Sequence, residues 1–149
     1  MRKTVILLAL LLGASAAQGQ LPGLRKRGPA QPQQPVLQGI DALRADFAAQ
    51  AGGTTVYYGA ESVILGAPAR AALTLQAGWL RKHPQVVVSV EGYGDSLDTR
   101  DHALAVGARR AEEARSYLVL LGVPAAQVST TSWGKERPGL GRAVSVLVR

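Results

Sequence analysis

Apolar residues along this chain follow two spacings, and the alternation predicts a mixed α+β fold. Short runs of β-branched and aromatic residues predict four strands, at 54–58, 85–91, 128–133 and 142–148. After the first run, apolar residues at helical spacing predict a helix that begins at Pro68 and ends before Pro84. A longer helix is predicted over 99–121, between the second and third strands.

The order strand, helix, strand, helix, strand, strand predicts how residues 52–149 pack. Each helix carries an apolar stripe, and two such helices can cover one face of a mixed four-stranded sheet. The valine-rich run at 85–91 is typical of a central, buried strand. Small residues at Gly107 and Ala111 would let the second helix approach the sheet closely. A segment rich in Gly and Pro between the last two strands predicts a β-hairpin.

An extra helix is predicted before this domain. Leu37, Ile40, Leu43 and Phe47 recur at helical spacing, which indicates an amphipathic helix over 36–50. Its apolar face could pack on the domain or offer a surface to envelope proteins.

The first 19 residues have the pattern of a secretory signal peptide. Arg2 and Lys3 precede an apolar run that is too short to span a bilayer, and small residues follow it. Residues 20–35 are rich in Pro, Gln and basic side chains, which is typical of a tether. We therefore expect an exported protein whose mature chain has no transmembrane segment.

The composition narrows the compartment and the partners. The 149 residues include 17 basic and 10 acidic side chains, a formal net charge of +7, and no cysteine. Without cysteine we expect no disulfide and no lipid anchor, hence a periplasmic or envelope protein that is not a lipoprotein. A basic chain favours anionic neighbours such as wall polymers. Nucleic acid is not an expected partner, because aromatic residues are few and no nucleic-acid motif is present.

Two oppositely charged residues mark a candidate binding site. Asp95 lies just past the second predicted strand, and Arg110 lies two to three turns into the following helix. If the helix folds back on the strand, both side chains can face one cleft. They could then hold a zwitterion, the carboxylate binding its ammonium and the guanidinium its carboxylate. The alternative interpretation is an ordinary surface salt bridge.

The segment around this pair resembles the signature of the OmpA-like domain. That module occurs in outer-membrane protein A, the peptidoglycan-associated lipoprotein and flagellar stator proteins. Gly92 and Asp95 match the Gly-His-Thr-Asp block of the signature, and Leu104, Arg110 and Ala111 match the helix block that follows.

The resemblance continues to the end of the chain. Residues 133–138 resemble the aromatic-Gly turn of the family, and Arg142 stands where the family usually has an arginine. The resemblance covers about residues 54–149. Two departures are Ala103, where the family has Asn, and the short loop at 139–141.

The resemblance implies a fold and a function. The fold is a β-α-β-α-β-β sheet with helices on one face, and the function is non-enzymatic binding of the peptide stem of peptidoglycan. In the family the diaminopimelate zwitterion is held by the Asp and Arg that match Asp95 and Arg110, and Arg142 could assist. The departures favour an alternative, an OmpA-fold structural or protein-interaction module of the envelope that has lost peptidoglycan binding.

A competing motif indicates an esterase. Residues 94–97 spell Gly-Asp-Ser-Leu, the first block of one esterase family, with Ser96 as the nucleophile. That chemistry needs a His base and oxyanion donors that include an Asn side chain. The chain has no Asn, and neither His83 nor His102 lies in the late Asp-x-x-His block of such enzymes. Two His at no ligand spacing also fail to indicate a metal site, so we expect no catalytic residue, no cofactor and no metal.

Overall fold

A four-stranded mixed sheet forms the centre of the computed structural model, which describes residues 39–137 and 141–149. The helices are α1 (Ile40–Gln50), α2 (Ala67–Lys82) and α3 (Arg100–Leu120). The strands are β1 (Thr55–Tyr57), β2 (Val88–Tyr93), β3 (Val128–Gly134) and β4 (Ala143–Val148). This arrangement confirms the predicted α+β class and the predicted element order. The predicted signal peptide, the tether and the start of the extra helix at 36–38 lie outside the described residues.

The strands are arranged in the order β1-β4-β2-β3. Strand β4 is antiparallel to both β1 and β2, whereas β2 and β3 are parallel. The prediction of a β3–β4 hairpin is therefore wrong, because β2 separates the two strands. The physical reason lies in their composition. Strand β4 is almost entirely apolar and buried, which suits a central position, and β3 exposes Ser129 and Thr130 at the edge of the sheet.

The core lies between the sheet and helices α2 and α3. Val90 of β2 pairs with Val146 of β4, and both side chains are fully buried. Leu73 and Leu80 of α2 and Leu118 of α3 are also fully buried and belong to the same apolar cluster. Burial of these side chains supplies the main driving force for folding.

Helix α3 approaches β2 at two glycines. A Cβ on Gly92 would overlap the backbone oxygen of Gly107, and a Cβ on Gly107 would lie 2.6 Å from Ser132 Oγ. The small residue expected at position 107 therefore serves close packing, as predicted. The contact brings the first turns of α3 against the end of β2, where the polar loop between them begins.

Helix α1 packs on the domain through its apolar face. Phe47 is fully buried, and its ring meets that of Trp79 edge-on at 5.0 Å. Trp79 Nε1 donates to Asp46 Oδ2 at 2.7 Å, and Arg44 Nε donates to the carbonyl of Val148 at 3.0 Å. Of the two uses predicted for this helix, its apolar face is taken by the domain itself. No helix within 39–137 and 141–149 is long and apolar enough to cross a membrane.

The glycine contact leads to a test of the fold. Gly92→Ala should lower the free energy of unfolding by about 3 kcal/mol, because the added methyl group can be accommodated only if α3 moves away from β2. Urea unfolding followed by circular dichroism measures the change.

Gly78→Ala is the matched control. A Cβ at Gly78 would meet no atom within 4 Å, and this residue lies inside α2, so the variant should gain up to about 1 kcal/mol from helix propensity. Equal stabilities of the two variants would contradict the close approach of α3 to the sheet.

Candidate functional site

The strand directions gather four charged segments at one end of the sheet. Strands β1, β2 and β3 all run the same way, because β4 is antiparallel to both of its neighbours and β2 is parallel to β3. The loops that follow these three strands therefore meet at one end, together with the residues that precede β4. Those segments are 58–61, 94–98, 134–137 and 141–142.

These segments form a cleft of about 1080 Å³. Its acidic lining residues are Glu61, Asp95, Asp98 and Glu136, and its basic lining residues are Lys135, Arg137 and Arg142. Tyr57 and Leu97 add exposed apolar surface at its edge. A cavity of this size and polarity suits a charged ligand larger than one amino acid.

Asp95 and Arg142 form an ion pair on the wall of the cleft. Arg142 Nε lies 3.4 Å from Asp95 Oδ1, and the two side chains are 48% and 19% exposed respectively. Two of the three predicted site residues are therefore brought together.

Arg110 lies beneath the cleft and does not line it. Its side chain is fully buried and donates to three backbone carbonyls, those of Ser62 at 2.9 Å, Tyr93 at 2.8 Å and Gly59 at 3.3 Å. Burial lowers the pKa of Arg110, while the negative charge of Asp95 acts to raise it. The predicted ligand contact of Arg110 stays a prediction, and the geometry assigns this residue a role in holding the loops.

The hydroxyl of Tyr58 completes this buried cluster. It donates to the carbonyl of Arg110 at 2.9 Å, and the guanidinium of Arg110 lies 5.4 Å from the centre of the ring. Burial, together with the negative charge of Glu113, raises the pKa of Tyr58, so the hydroxyl keeps the proton that it donates. Both the backbone carbonyl and the guanidinium of Arg110 therefore bind the segment after β1 and hold it against α3.

Three carboxylates gather at the acidic side of the cleft. Oxygen atoms of Glu61, Asp95 and Asp98 all lie within 4.8 Å of one another. Such a group can accept several hydrogen bonds from an ammonium. It could also contact a hard cation, although Ca²⁺ usually takes six to eight oxygen ligands.

The esterase interpretation finds no support in the positions of the side chains. Ser96 is exposed, and no hydrogen bond links it to a histidine in the part of the chain that the structure describes. His102 Nε2 lies 3.8 Å from Asp98 Oδ2, while the ring of His83 stacks on Trp79 at 3.8 Å. A serine nucleophile would need a base within hydrogen-bond reach.

The structure is that of a small α+β domain with a charged cleft at one end of its sheet. The chain belongs to the OmpA family, whose model matches residues 57–143. This match confirms the resemblance seen in the sequence.

The chain is also similar in sequence to curated proteins named peptidoglycan-associated lipoproteins. The chain is 43% identical over 86 residues to a peptidoglycan-associated lipoprotein of Rhizobium meliloti (strain 1021), covering 58% of this chain and 49% of the relative. It is 41% identical over 99 residues to that of Pseudomonas aeruginosa, covering 66% and 58%. The chain thus spans about half the length of the curated relatives it matches.

Solved structures agree with the fold. The crystal structure of the peptidoglycan-associated lipoprotein from Burkholderia pseudomallei matches with a TM-score of 0.63 and 30% identity, covering 66% of this chain and 92% of that one. The C-terminal domain of Helicobacter pylori MotB matches with a TM-score of 0.57 and 19% identity, covering 62% and 81%. At that identity the second match supports the fold alone.

The expectation that the protein is not a lipoprotein is wrong by these comparisons. The curated relatives named above are peptidoglycan-associated lipoproteins. The expectation rested on the lack of cysteine in the 149 residues.

Residue analysis missed Glu61 and Arg137 as parts of the site. Both line the cleft, and each lies two to four residues beyond the end of a strand, as Asp95 does. The available signal was that three predicted strands each lead directly into charged residues. To recognise that these charged residues meet at one end of the sheet, the strand directions must be known. The wrong hairpin prediction gave β3 the wrong neighbour in the sheet.

The buried guanidinium leads to a second test. Arg110→Ala should lower the free energy of unfolding by about 3 kcal/mol or more, because a buried carbonyl left without a donor costs about 1–3 kcal/mol. The free energy of unfolding of Arg110→Lys should lie between those of Arg110→Ala and the wild type. An ammonium keeps the charge but lacks the planar fork of a guanidinium. Thermal and urea unfolding measure both.

Arg109→Ala is the control, because Arg109 is the exposed neighbour on the same helix. Its free energy of unfolding should change by no more than about 0.5 kcal/mol. If Arg110→Ala were as mild, Arg110 would not hold the loops.

Proposed function

We propose that this domain binds the peptide stem of peptidoglycan in the cleft, as a non-enzymatic domain of the cell envelope. The observation that carries the proposal is the juxtaposition of Asp95 and Arg142 on the wall of a large cleft in an OmpA-family domain. Relatives at 41–43% identity that are named peptidoglycan-associated lipoproteins support it.

The chemistry of the cleft suits a diamino acid that carries a free ammonium and a free carboxylate. Asp95, with Glu61 and Asp98 beside it, would accept hydrogen bonds from the ammonium. Arg142 would donate to the carboxylate through its planar fork. The ligand thus replaces one internal ion pair by two charge-assisted contacts.

Opening the Asp95–Arg142 pair costs little free energy. The pair is partly exposed and its two atoms lie 3.4 Å apart, and exposed pairs contribute about 0–1 kcal/mol. A ligand that offers both charges can therefore displace it. This makes the pair a resting arrangement of the binding site.

Arg110 would support the same ligand from beneath. Its three bonds to carbonyls use three of the five N–H groups of a guanidinium, which leaves at most two for a ligand. Its larger effect would be to fix the loops that carry Glu61 and Asp95.

The internal ion pair also favours a second candidate function. Asp95 and Arg142 satisfy each other without a ligand, as in a module that has lost peptidoglycan binding. Such a module could bind envelope proteins through the exposed face of α1, which includes Ala45, Ala48 and Ala49. The following experiment decides between the two functions.

Binding of purified sacculi and of synthetic stem peptides provides the test. Asp95→Asn should weaken binding about 10-fold or more, because one charge-assisted hydrogen bond contributes about 1.5–3 kcal/mol. Arg142→Gln should weaken binding of a diaminopimelate stem by a similar factor. It should leave binding of an ornithine stem unchanged, because ornithine has no distal carboxylate for Arg142 to bind.

Asp101→Asn is the matched control, since Asp101 is exposed on the first turn of α3 and does not line the cleft. It should bind both stems as the wild type does. Failure of the wild-type domain to bind either stem would reject peptidoglycan binding and favour the interaction module.

A further inference from the structure

A charged network that is partly buried lies beside the cleft, at the end of β2 and β3. Gly92 pairs with Ser132 and Tyr93 pairs with Gly134, so Trp133 is the extra residue of a bulge. Bulges often redirect a side chain next to a functional site. Here the ring of Trp133 lies under the guanidinium of Arg137, 3.8 Å from its central carbon.

Arg137 is held from a second direction by a carboxylate. Its NH1 group donates to Glu91 Oε2 at 2.9 Å, and the hydroxyl of Tyr93 donates to the same oxygen at 2.8 Å. The side chain of Glu91 is only 10% exposed, so these two donors replace contacts with water that burial removes. Tyr93, which is 1% exposed, is thereby committed to the network and has no ring face open to a ligand.

The guanidinium of Arg137 still faces the cleft. The side chain of Arg137 is 44% exposed, and this residue is among those that line the cavity. Stacking on Trp133 covers one face of the guanidinium and the bond to Glu91 uses one edge, while the planar fork has further N–H donors. Because its orientation is fixed in advance, little conformational entropy is lost when a carboxylate binds there.

Other basic groups that contact the segment between β3 and β4, or belong to it, are held differently. Lys135 Nζ donates to the carbonyl of Asp98 at 2.6 Å, and Arg100, outside the cleft, pairs with Glu136 at 2.7 Å on the exposed surface. Among the described residues that line the cleft, Arg137 is therefore the cation with both a stacked ring and a nearly buried carboxylate behind it.

We propose that Arg137, oriented by Glu91 and Trp133, binds a second carboxylate of the ligand. The inference rests on the proposed function and extends it from one zwitterionic group to a longer segment of the stem. The ligand class is an acidic peptide that carries one ammonium and at least two carboxylates. Asp95 and Arg142 take the zwitterion, and Arg137 selects for the additional negative charge.

A thermodynamic cycle between protein and ligand tests this role. The probes are synthetic stem peptides that contain diaminopimelate, with each carboxylate other than the distal one amidated in turn. For the wild type, one of these amidations should weaken binding about 3- to 10-fold, the contribution of one charged hydrogen bond at a half-exposed site. Arg137→Gln should bind the unmodified peptide more weakly by the same factor and be insensitive to that amidation.

Glu91→Gln tests the orienting part of the proposal. Glutamine can still accept a hydrogen bond from Tyr93 but has no charge to hold Arg137, so sensitivity to the amidation should fall while the peptide still binds. Arg100→Gln is the control, because it removes an exposed arginine that pairs with Glu136, the neighbour of Arg137. This variant should respond to amidation as the wild type does. Thermal unfolding of each variant separates a change in binding from a loss of fold.

The outcomes are separable from those of the proposed function. If Arg142→Gln shows the expected dependence on the distal carboxylate and Arg137→Gln responds to amidation as the wild type does, only the role of Arg137 is overturned. If the wild type binds no stem peptide, the proposed function and this extension fail together. If Arg137→Gln loses its response to amidation while Arg100→Gln keeps it, Arg137 is a ligand-binding residue.

Discussion

The cleft depends on one buried guanidinium, that of Arg110. A fully buried positive charge is tolerated only when hydrogen-bond acceptors surround it. Three carbonyls, two in the loop after β1 and one at the end of β2, meet this requirement. The loop after β1 and the end of β2 are thereby fixed to the same point on α3. Glu61 lies between Gly59 and Ser62, whose carbonyls accept from Arg110. Asp95 follows the third acceptor, Tyr93, by two residues. The positions of Glu61 and Asp95 in the cleft therefore depend on the hydrogen bonds made by the buried guanidinium of Arg110.

Most of the fold follows from the sequence, because its elements are defined by local pattern. Apolar periodicity located α2, α3 and all four strands to within a few residues, and the small residue at Gly107 correctly indicated close packing. The pairing of β4 could not be obtained in this way. A strand adjacent in sequence usually pairs with its neighbour, and here the more apolar strand leaves β3 at the edge and enters the sheet between β1 and β2.

Part of the candidate site could likewise be predicted from the sequence, and part could not. Asp95 and Arg142 were predicted as site residues from the charged positions of the resembling motif, and the structure places them on one wall of the cleft. The depth of a side chain below the surface is not encoded in spacing, so Arg110 could not be distinguished from a cleft-lining arginine. The contribution of Glu91 was equally hidden, since a glutamate inside a valine-rich strand becomes informative only when Arg137, 46 residues away, closes over it.

The attachment of α1 has a mechanical consequence. Helix α1 is fastened to the carbonyl of Val148, at the end of β4, and to Trp79, near the end of α2. The cleft lies at the other end of β4, where Arg142 precedes the strand. A load applied between α1 and a ligand in the cleft would therefore run along the length of the strands. The hydrogen bonds that join β4 to β1 and β2 lie across that direction, so they would be loaded together in shear and would resist pulling as a group.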